Sequence, residues 1–254
     1  MRNTGLLFMR QIDEGAARKI GLDAFKLKII AILAMTCNHT AHVFLEAIPM
    51  YVLFPLYTVG GITFPIMAYF IVEGYKKTSN VRKYMLRMLI FALIALLPFV
   101  WALATMLNVL FTLLLGIVCL YLRDHMKSRV RFGFCFAGIT LVTIFCDWSL
   151  IGVLMIFLYG TVNGERLRII LPPVTITAIC LVYVIISIIA DFGPGTRILL
   201  MDGGFALAGL AVIPLLSVYN GNRGYSPPAL RYLFYIYYPA HLLLLAGIKW
   251  LAAS

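Results

Sequence analysis

The stretch LKIIAILAMTCNHTAHVF (27–44) is apolar over most of its length and then carries Asn38, His39 and His42. Its reading decides the fold, because eight further apolar stretches repeat its length and character. The nine run approximately over 27–47, 59–75, 84–101, 107–122, 132–147, 149–163, 168–190, 198–218 and 232–252. A membrane-spanning helix needs roughly 20 mostly apolar residues, within a range of about 17–25. The fifth and sixth stretches are the shortest and are joined tightly through Asp147, Trp148 and Ser149. For this pair a shallow hairpin is the alternative to two full crossings.

Composition agrees. Of 254 residues, 63% are hydrophobic and 12% charged, and the mean hydropathy is +0.98. A soluble domain carries about 25% charged residues. One soluble core cannot absorb so much apolar surface, which excludes an ordinary globule and a disordered chain. The fold expected is an all-α polytopic membrane bundle of about nine transmembrane helices. Residues 1–26 read as a mostly polar cytoplasmic segment, with an interfacial helix as an option, and residues 27–254 as a single transmembrane domain. Asp13, Glu14, Arg18, Lys19 and Asp23 leave no room there for the apolar core of a signal peptide.

The net charge of +11 is a topology signal. With the N-terminus in the cytoplasm, one side holds Arg2, Arg10, Arg18, Lys19, Lys26 and Lys28. It also holds the clusters Lys76–Arg87, Arg123–Arg131, Arg166 with Arg168, and Arg223 with Arg231. The other side keeps Arg197 and Lys249. This is the positive-inside asymmetry, and it puts the C-terminus outside. The basic loops meet anionic lipid, and no nucleic-acid partner is expected. The five cysteines form no CxxC pair and lie in apolar runs, so they read as filler and no metal site is expected.

Ionisable residues inside a span are functional hypotheses, because lipid cannot solvate them. Asn38, His39, His42 and Glu46 lie at spacings of three and four, along one helical face. His39 stands about 17 Å along the helix from Lys28. In the last span, Tyr-Tyr-Pro-Ala-His (237–241) places His241 about 15 Å beyond Arg231. Two histidines from the first and last spans thus reach similar depth and would share a polar pocket if the bundle brings those spans together. The plain alternative is that each only bonds a neighbouring helix. A mid-membrane imidazole suits general-base chemistry.

Other constellations are weaker. Glu73-Gly74-Tyr75 closes the second span before Lys76-Lys77. Glu73 is either a snorkelled ion pair with one of these lysines or the lip of a cytoplasmic ligand site. Lys76, Lys77, Arg82, Lys83 and Arg87 suit lipid headgroups or a polyphosphate. Asn108 and Thr112 form an i,i+4 polar pair of the kind that joins helices. Asp147, Asp191, Arg197 and Asp202 fall at the outer face, where an acceptor would enter. No Walker A loop, HExxH or GxSxG is present. Neither an internal repeat nor a matched pair of broken helices is visible.

Six segments carry a family resemblance: LKIIAILAMTCNHTAHVF (27–44), GGITFPIMAYFIVEGYKKT (60–78), YMLRMLIFALIALLPF (84–99), NVLFTLLLGI (108–117), GGFALAGLAVIPLLSVYNGNRG (203–224) and LFYIYYPAHLLLL (233–245). In this order the chain resembles the TraX family of bacterial membrane proteins, over about residues 26–246. The family's founding activity is N-terminal acetylation of conjugative pilin. Its wider kin resemble integral-membrane acyltransferases that draw acetyl-coenzyme A from the cytoplasm. Two positions depart from the family's usual pattern. Asn38 stands where an aspartate precedes the histidine, and Gly61 where an arginine follows the first glycine. Asn38 can orient an imidazole but supplies no charge, and Gly61 lacks the planar donor of arginine.

The resemblance implies a transferase of the bacterial cytoplasmic membrane that moves an acetyl group from acetyl-CoA to an amine or hydroxyl of a peptide or glycan. His39 would be the base or the acyl carrier, with His241 and Asn38 beside it. Glu73, Tyr75, Lys76, Lys77, Arg82, Lys83 and Arg87 would form the donor mouth. His42, Glu46, Asn108 and Tyr238 would face the acceptor. The alternatives are a solute transporter with a histidine proton relay and a non-catalytic member of the family.

Overall fold

The first helix begins where Asp23 accepts the backbone N–H of Lys26 at 2.9 Å. This satisfies one of the donors that a helix start leaves orphaned. The computed structural model describes residues 21–103, 107–192, 195–227 and 230–253. Most of the N-terminal segment, residues 1–20, therefore lies outside the described residues.

Helix α1 is Ala24–Val43. α2 (Met50–Val59), a 3₁₀ turn (Gly60–Ile62) and α3 (Thr63–Lys77) form one continuous rod. α4 (Val81–Leu103) follows Asn80, which caps it through the Lys83 N–H. α5 (Val109–His125) starts at Asn108, whose Oδ1 accepts from Leu110 N at 3.0 Å. α6 (Arg129–Thr143) starts at Ser128. α7 is Ser149–Thr161 and α8 is Glu165–Ile189. α9 (Thr196–Ala208), a second 3₁₀ turn (Gly209–Ala211) and α10 (Val212–Ser217) form another rod. α11 is Leu230–Ala253.

Counted as continuous rods, the described residues make nine helices and no β-strand, one helix for each apolar stretch read from the sequence. Four are long and apolar enough to cross a membrane: Met50–Lys77, Val81–Leu103, Glu165–Ile189 and Thr196–Ser217. Large apolar side chains face outward from them, among them Leu97 and Ile189, as expected where lipid is the solvent. α6 and α7 are short: 15 and 13 residues give about 22 and 20 Å at 1.5 Å per residue. Their connection is tight. Trp148 and Ser149 both take positive φ, 66° and 36°. Trp148 lies flat on Phe64 with ring centroids 4.2 Å apart, and the Thr112 hydroxyl donates to the Asp147 carbonyl.

α11 packs on α4 and α1, α1 on α2 and α3, and α9 on α2 and α8. The two 3₁₀ turns meet where these rods cross. A Cβ at Gly61 would run into the carbonyl oxygen of Phe205, so no side chain fits there. Here the structure shows a pair of interrupted helices that the sequence concealed. A 3₁₀ turn inside an apolar run leaves no gap in hydropathy.

The helix ends form two opposed groups. At one end the bridge of Leu22 with Tyr219, the ion pair of Arg168 with Glu73 and the bond of Tyr75 with Asp124 tie the ends together. At the other, Leu107 pairs with Cys146 and Tyr57 with Asp202.

Candidate functional site

α1 and α11 lie side by side and are joined by two polar contacts. The Thr36 and Tyr237 hydroxyls are 2.7 Å apart. One helical turn further on, His39 Nδ1 lies 2.8 Å from His241 Nε2, with the two rings only 5° from parallel. His241 Nδ1 lies 2.9 Å from the carbonyl oxygen of its own helix neighbour Tyr237. Both imidazoles are buried.

These contacts assign the protons. A carbonyl oxygen only accepts, so His241 Nδ1 carries the hydrogen and donates to Tyr237. In the neutral ring His241 Nε2 is then an acceptor. His39 Nδ1–H therefore donates to it, and His39 Nε2 holds a free lone pair. Among the described residues that nitrogen has no hydrogen-bond partner, and His39 lines a cavity that His241 does not reach.

The cavity holds about 1420 Å³, more than the roughly 300–1,000 Å³ of a site for a drug-sized ligand. Lys28, Arg87 and Arg223 line one end and Asp147 and Asp202 the other, with His39 between them. The Lys28 ammonium lies over the rings of Phe70 and Phe234 at 5.4 and 5.6 Å. The Arg87 guanidinium lies over Tyr84 at 5.5 Å and Tyr235 at 5.9 Å, and its Nε is buried without a partner among the described residues. None of these three cations pairs with a carboxylate among the described residues.

The other residues singled out from sequence fall as follows. Asn38 is buried, but its amide donates to the Tyr57 carbonyl at 2.8 Å. It ties α1 to α2, while His241 is the group that orients His39. His42 faces the cavity with its ring 4.8 Å from that of Tyr57, whose hydroxyl donates to Asp202 at 2.6 Å. Glu46 lies beyond the end of α1, exposed and outside the cavity lining. Asn108 is fully buried as the α5 cap, and its amide donates to the Ala92 carbonyl at 2.8 Å. Tyr238 lines the cavity, only 4% exposed, with its hydroxyl buried beside the Val109 backbone amide.

Glu73 lines the cavity but is held on both sides. Lys77 Nζ and Arg168 Nη2 each lie 2.7 Å from one of its oxygens. Arg168 also donates to the Tyr69 hydroxyl at 2.8 Å. The Tyr75 hydroxyl donates to Asp124 at 2.7 Å, away from the cavity. Of the basic cluster after α3, Lys77 and Arg87 line the cavity, whereas Lys76, Arg82 and Lys83 do not.

Three residues escaped the sequence reading: Lys28, Arg168 and Arg223, each counted only as a topology marker. For Lys28 a signal existed. It precedes His39 by eleven residues, close to three full turns, and so shares its stripe. Asp147 belongs to the connection between α6 and α7, outside the helices. Burial pushes its carboxyl up to about 6. Among the described residues no group of three or more His, Cys, Asp or Glu is placed to hold a metal ion.

These features define a helical membrane protein with a histidine pair in the wall of a cavity that is cationic at one end and acidic at the other. The family model described as "TraX protein" matches residues 24–249, and the chain belongs to that family. It is also similar to a probable fimbrial assembly protein FimC, serogroup H1, of Dichelobacter nodosus. The two are 30% identical over 252 residues, covering 92% of this chain and 98% of the relative. No solved structure matches the chain.

Proposed function

We propose that this protein is a membrane-embedded acyltransferase that moves an acetyl group from acetyl-CoA to an amine or hydroxyl of an acceptor at or beyond the membrane. The observation that carries the reading is the chain from the Tyr237 carbonyl through His241 to His39, which leaves His39 Nε2 as a lone pair facing the cavity. A base held in one tautomer by a second group is the arrangement acyl transfer uses. When His39 takes a proton, its Nδ1–H bond to His241 becomes charge-assisted and steadies the imidazolium.

The chain's residues fit the donor. Three cations without a carboxylate partner among the described residues stand at one end of the cavity, and the buried Arg87 Nε has no acceptor among those residues. Lys28, Arg87 and Arg223 would hold the phosphates, and the rings of Tyr84 and Tyr235 offer faces for a nucleobase. The donor supplies an acyl carbon activated as a thioester. His39 Nε2 takes the proton of the acceptor as its nitrogen or oxygen bonds to that carbon. The C–S bond breaks, and the thiolate takes the proton back from His39.

In this reading the cationic end faces the cytoplasm. The N-terminus is then inside, the C-terminus outside, and the chain crosses a bacterial cytoplasmic membrane nine times. Asp147 and Asp202 line the opposite end, where an ammonium acceptor would be drawn in and would leave one proton to a carboxylate before its neutral amine reaches His39. The relative named for fimbrial assembly favours a peptide acceptor from a surface appendage. The test is transfer of labelled acetyl from acetyl-CoA to peptides with a free N-terminus by purified protein in lipid. Wild type transfers and His39→Ala does not, while both bind the donor. Full activity in His39→Ala overturns the assignment. Labelling of the protein itself without acceptor would make His39 the acetyl carrier.

A further inference from the structure

We propose that Tyr57, Trp148, Phe205 and Asp202 form a cage for a primary ammonium, so that the cavity takes up its acceptor as a cation and not as an alcohol. What the cation does next rests on the acyltransferase reading. The cage itself is built into the cavity wall.

Two half-buried carboxylates, Asp147 and Asp202, line the acidic end. Neither pairs with a cation among the described residues. Asp202 is held in place, because the Tyr57 hydroxyl donates to its Oδ1 at 2.6 Å. Its Oδ2 has no hydrogen-bond partner among the described residues and is left to accept from a ligand. A fixed carboxylate in the wall of a largely apolar cavity is half of an ion pair.

Four rings from four separate parts of the chain run on beside it. Tyr57 of α2 lies 5.7 Å from Phe205 of α9. Phe205 lies 5.6 Å from Trp148 of the α6–α7 connection, and Trp148 stacks on Phe64 of α3 at 4.2 Å. All four rings line the cavity, and Tyr57, Trp148 and Phe205 are only half-buried. Rings that merely fill a core would be covered. A cation gains from an aromatic face within about 6 Å and from a carboxylate together. A neutral hydroxyl gains little from the ring faces, which is why the cage selects the charged group.

The cage also stands in the right place. Asn38, next to His39, donates to the Tyr57 carbonyl at 2.8 Å. His42 lies three residues beyond His39, about 4.5 Å along α1, and its ring is 4.8 Å from that of Tyr57. The cation is therefore held about one helical turn from the base.

The protons balance. Acetylating an ammonium releases one proton more than the one His39 carries to the thiolate. An N–H bond of the caged ammonium breaks as an O–H bond forms at Asp202 Oδ2. The neutral amine then bonds to the acyl carbon, gives its second proton to His39 Nε2, and the C–S bond breaks. Asp202 loses its proton to water at this end of the cavity, where His42 is exposed.

The test is calorimetry on the full chain in lipid without acetyl-CoA, using two peptides of one sequence. One begins with glycine and carries the ammonium; the other begins with a glycolyl group and carries a hydroxyl in its place. Wild type should bind the glycyl peptide at least about tenfold more tightly, the gain of a single charge-assisted bond. Asp202→Asn should weaken the glycyl peptide roughly 10- to 150-fold and leave the glycolyl peptide unchanged. Phe205→Leu keeps an apolar side chain but removes a ring face, and should weaken the glycyl peptide roughly 2- to 30-fold. If Asp202→Asn fails to fold, Phe205→Leu carries the test. Equal affinity of wild type for the two peptides, or wild-type affinity in the folded variants, overturns this proposal alone. Ammonium-selective binding that depends on these residues, with no acetyl transferred once acetyl-CoA is added, overturns the acyltransferase reading and leaves the cation site standing.

Discussion

His241→Ala separates a relay from a packing contact. In the structure His241 touches His39 through a 2.8 Å bond and lies outside the cavity lining. Its loss should leave donor binding intact and damage only the step in which His39 holds a proton. A hydrogen bond to a charged group contributes about 1.5–3 kcal/mol. At 1.36 kcal/mol per decade this predicts a fall in kcat of roughly 10- to 150-fold. KM for acetyl-CoA should stay within about threefold, which sits well below one decade. His241→Gln offers a side-chain oxygen to the same Nδ1–H and should recover part of the loss. The assay is steady-state transfer of labelled acetyl to a peptide amine by protein in lipid vesicles, with donor affinity measured by calorimetry. Wild-type kcat in His241→Ala refutes the relay. A change confined to KM also refutes it, because it would mean that His241 meets the donor directly.

Three further outcomes follow. Alanine at Lys28, Arg87 or Arg223 should raise KM for acetyl-CoA by roughly 10- to 150-fold each, from about 1.5–3 kcal/mol per charge-assisted bond. Alanine at the exposed Arg82 or Lys83 should not, and the reverse ranking in a kinetic titration would move the donor site. Gly61→Ala drives a Cβ against the Phe205 carbonyl and should destabilise the folded protein by about 1–3 kcal/mol. An unchanged melting midpoint would mean that the two 3₁₀ turns separate easily. Asp147, with its carboxyl raised to about 6 from 3.8, keeps a proton in the folded chain that the unfolded chain releases. Stability should therefore fall as pH rises from about 4 to 6, by up to about 3 kcal/mol. Asp147→Asn should match wild type in melting near pH 4 and exceed it at pH 7; parallel curves would show a solvated carboxylate.

How much of this was readable in the sequence depends on what kind of signal each feature leaves. Every apolar stretch became a helix, because hydropathy over about 20 residues reports the solvent and a helix is what satisfies the backbone in lipid. The meeting of His39 and His241 was readable because both depths could be counted from basic markers at 1.5 Å per residue. The donor mouth was not. Lys76, Lys77, Arg82, Lys83 and Arg87 are neighbours in sequence, but on two helices joined by a short turn they point in different directions. Only Lys77 and Arg87 reach the cavity, and Lys77 is held by Glu73. Lys28 and Arg223 lie far apart in the chain and converge only through packing. Arg168, on α8, reaches Glu73 across 95 residues of sequence. Tyr238 could be placed on the right face, but the burial of its hydroxyl beside the Val109 amide is a property of the assembled bundle.

The two departures from the family pattern are related by geometry. The pattern that the resemblance implies has an aspartate and an arginine at these places, of opposite charge, and positions 38 and 61 hold neutral residues instead. A Cβ at Gly60 would strike the Asn38 side chain, and one at Gly61 would strike the backbone of α9. The rods α2–α3 and α9–α10 therefore close against each other where a long basic side chain would have held them apart. An aspartate at 38 would face the Tyr57 carbonyl with a second acceptor instead of the N–H that Asn38 donates. Either charge restored alone would stand in a low-dielectric wall without its counterpart, a situation that buried ions tolerate poorly. His39 does not need the aspartate here, because its Nδ1–H is already taken by His241. Asn38 thus places no charge beside the base, and the base's orientation rests on a neutral partner, His241, with Tyr237 O anchoring the far end of the chain.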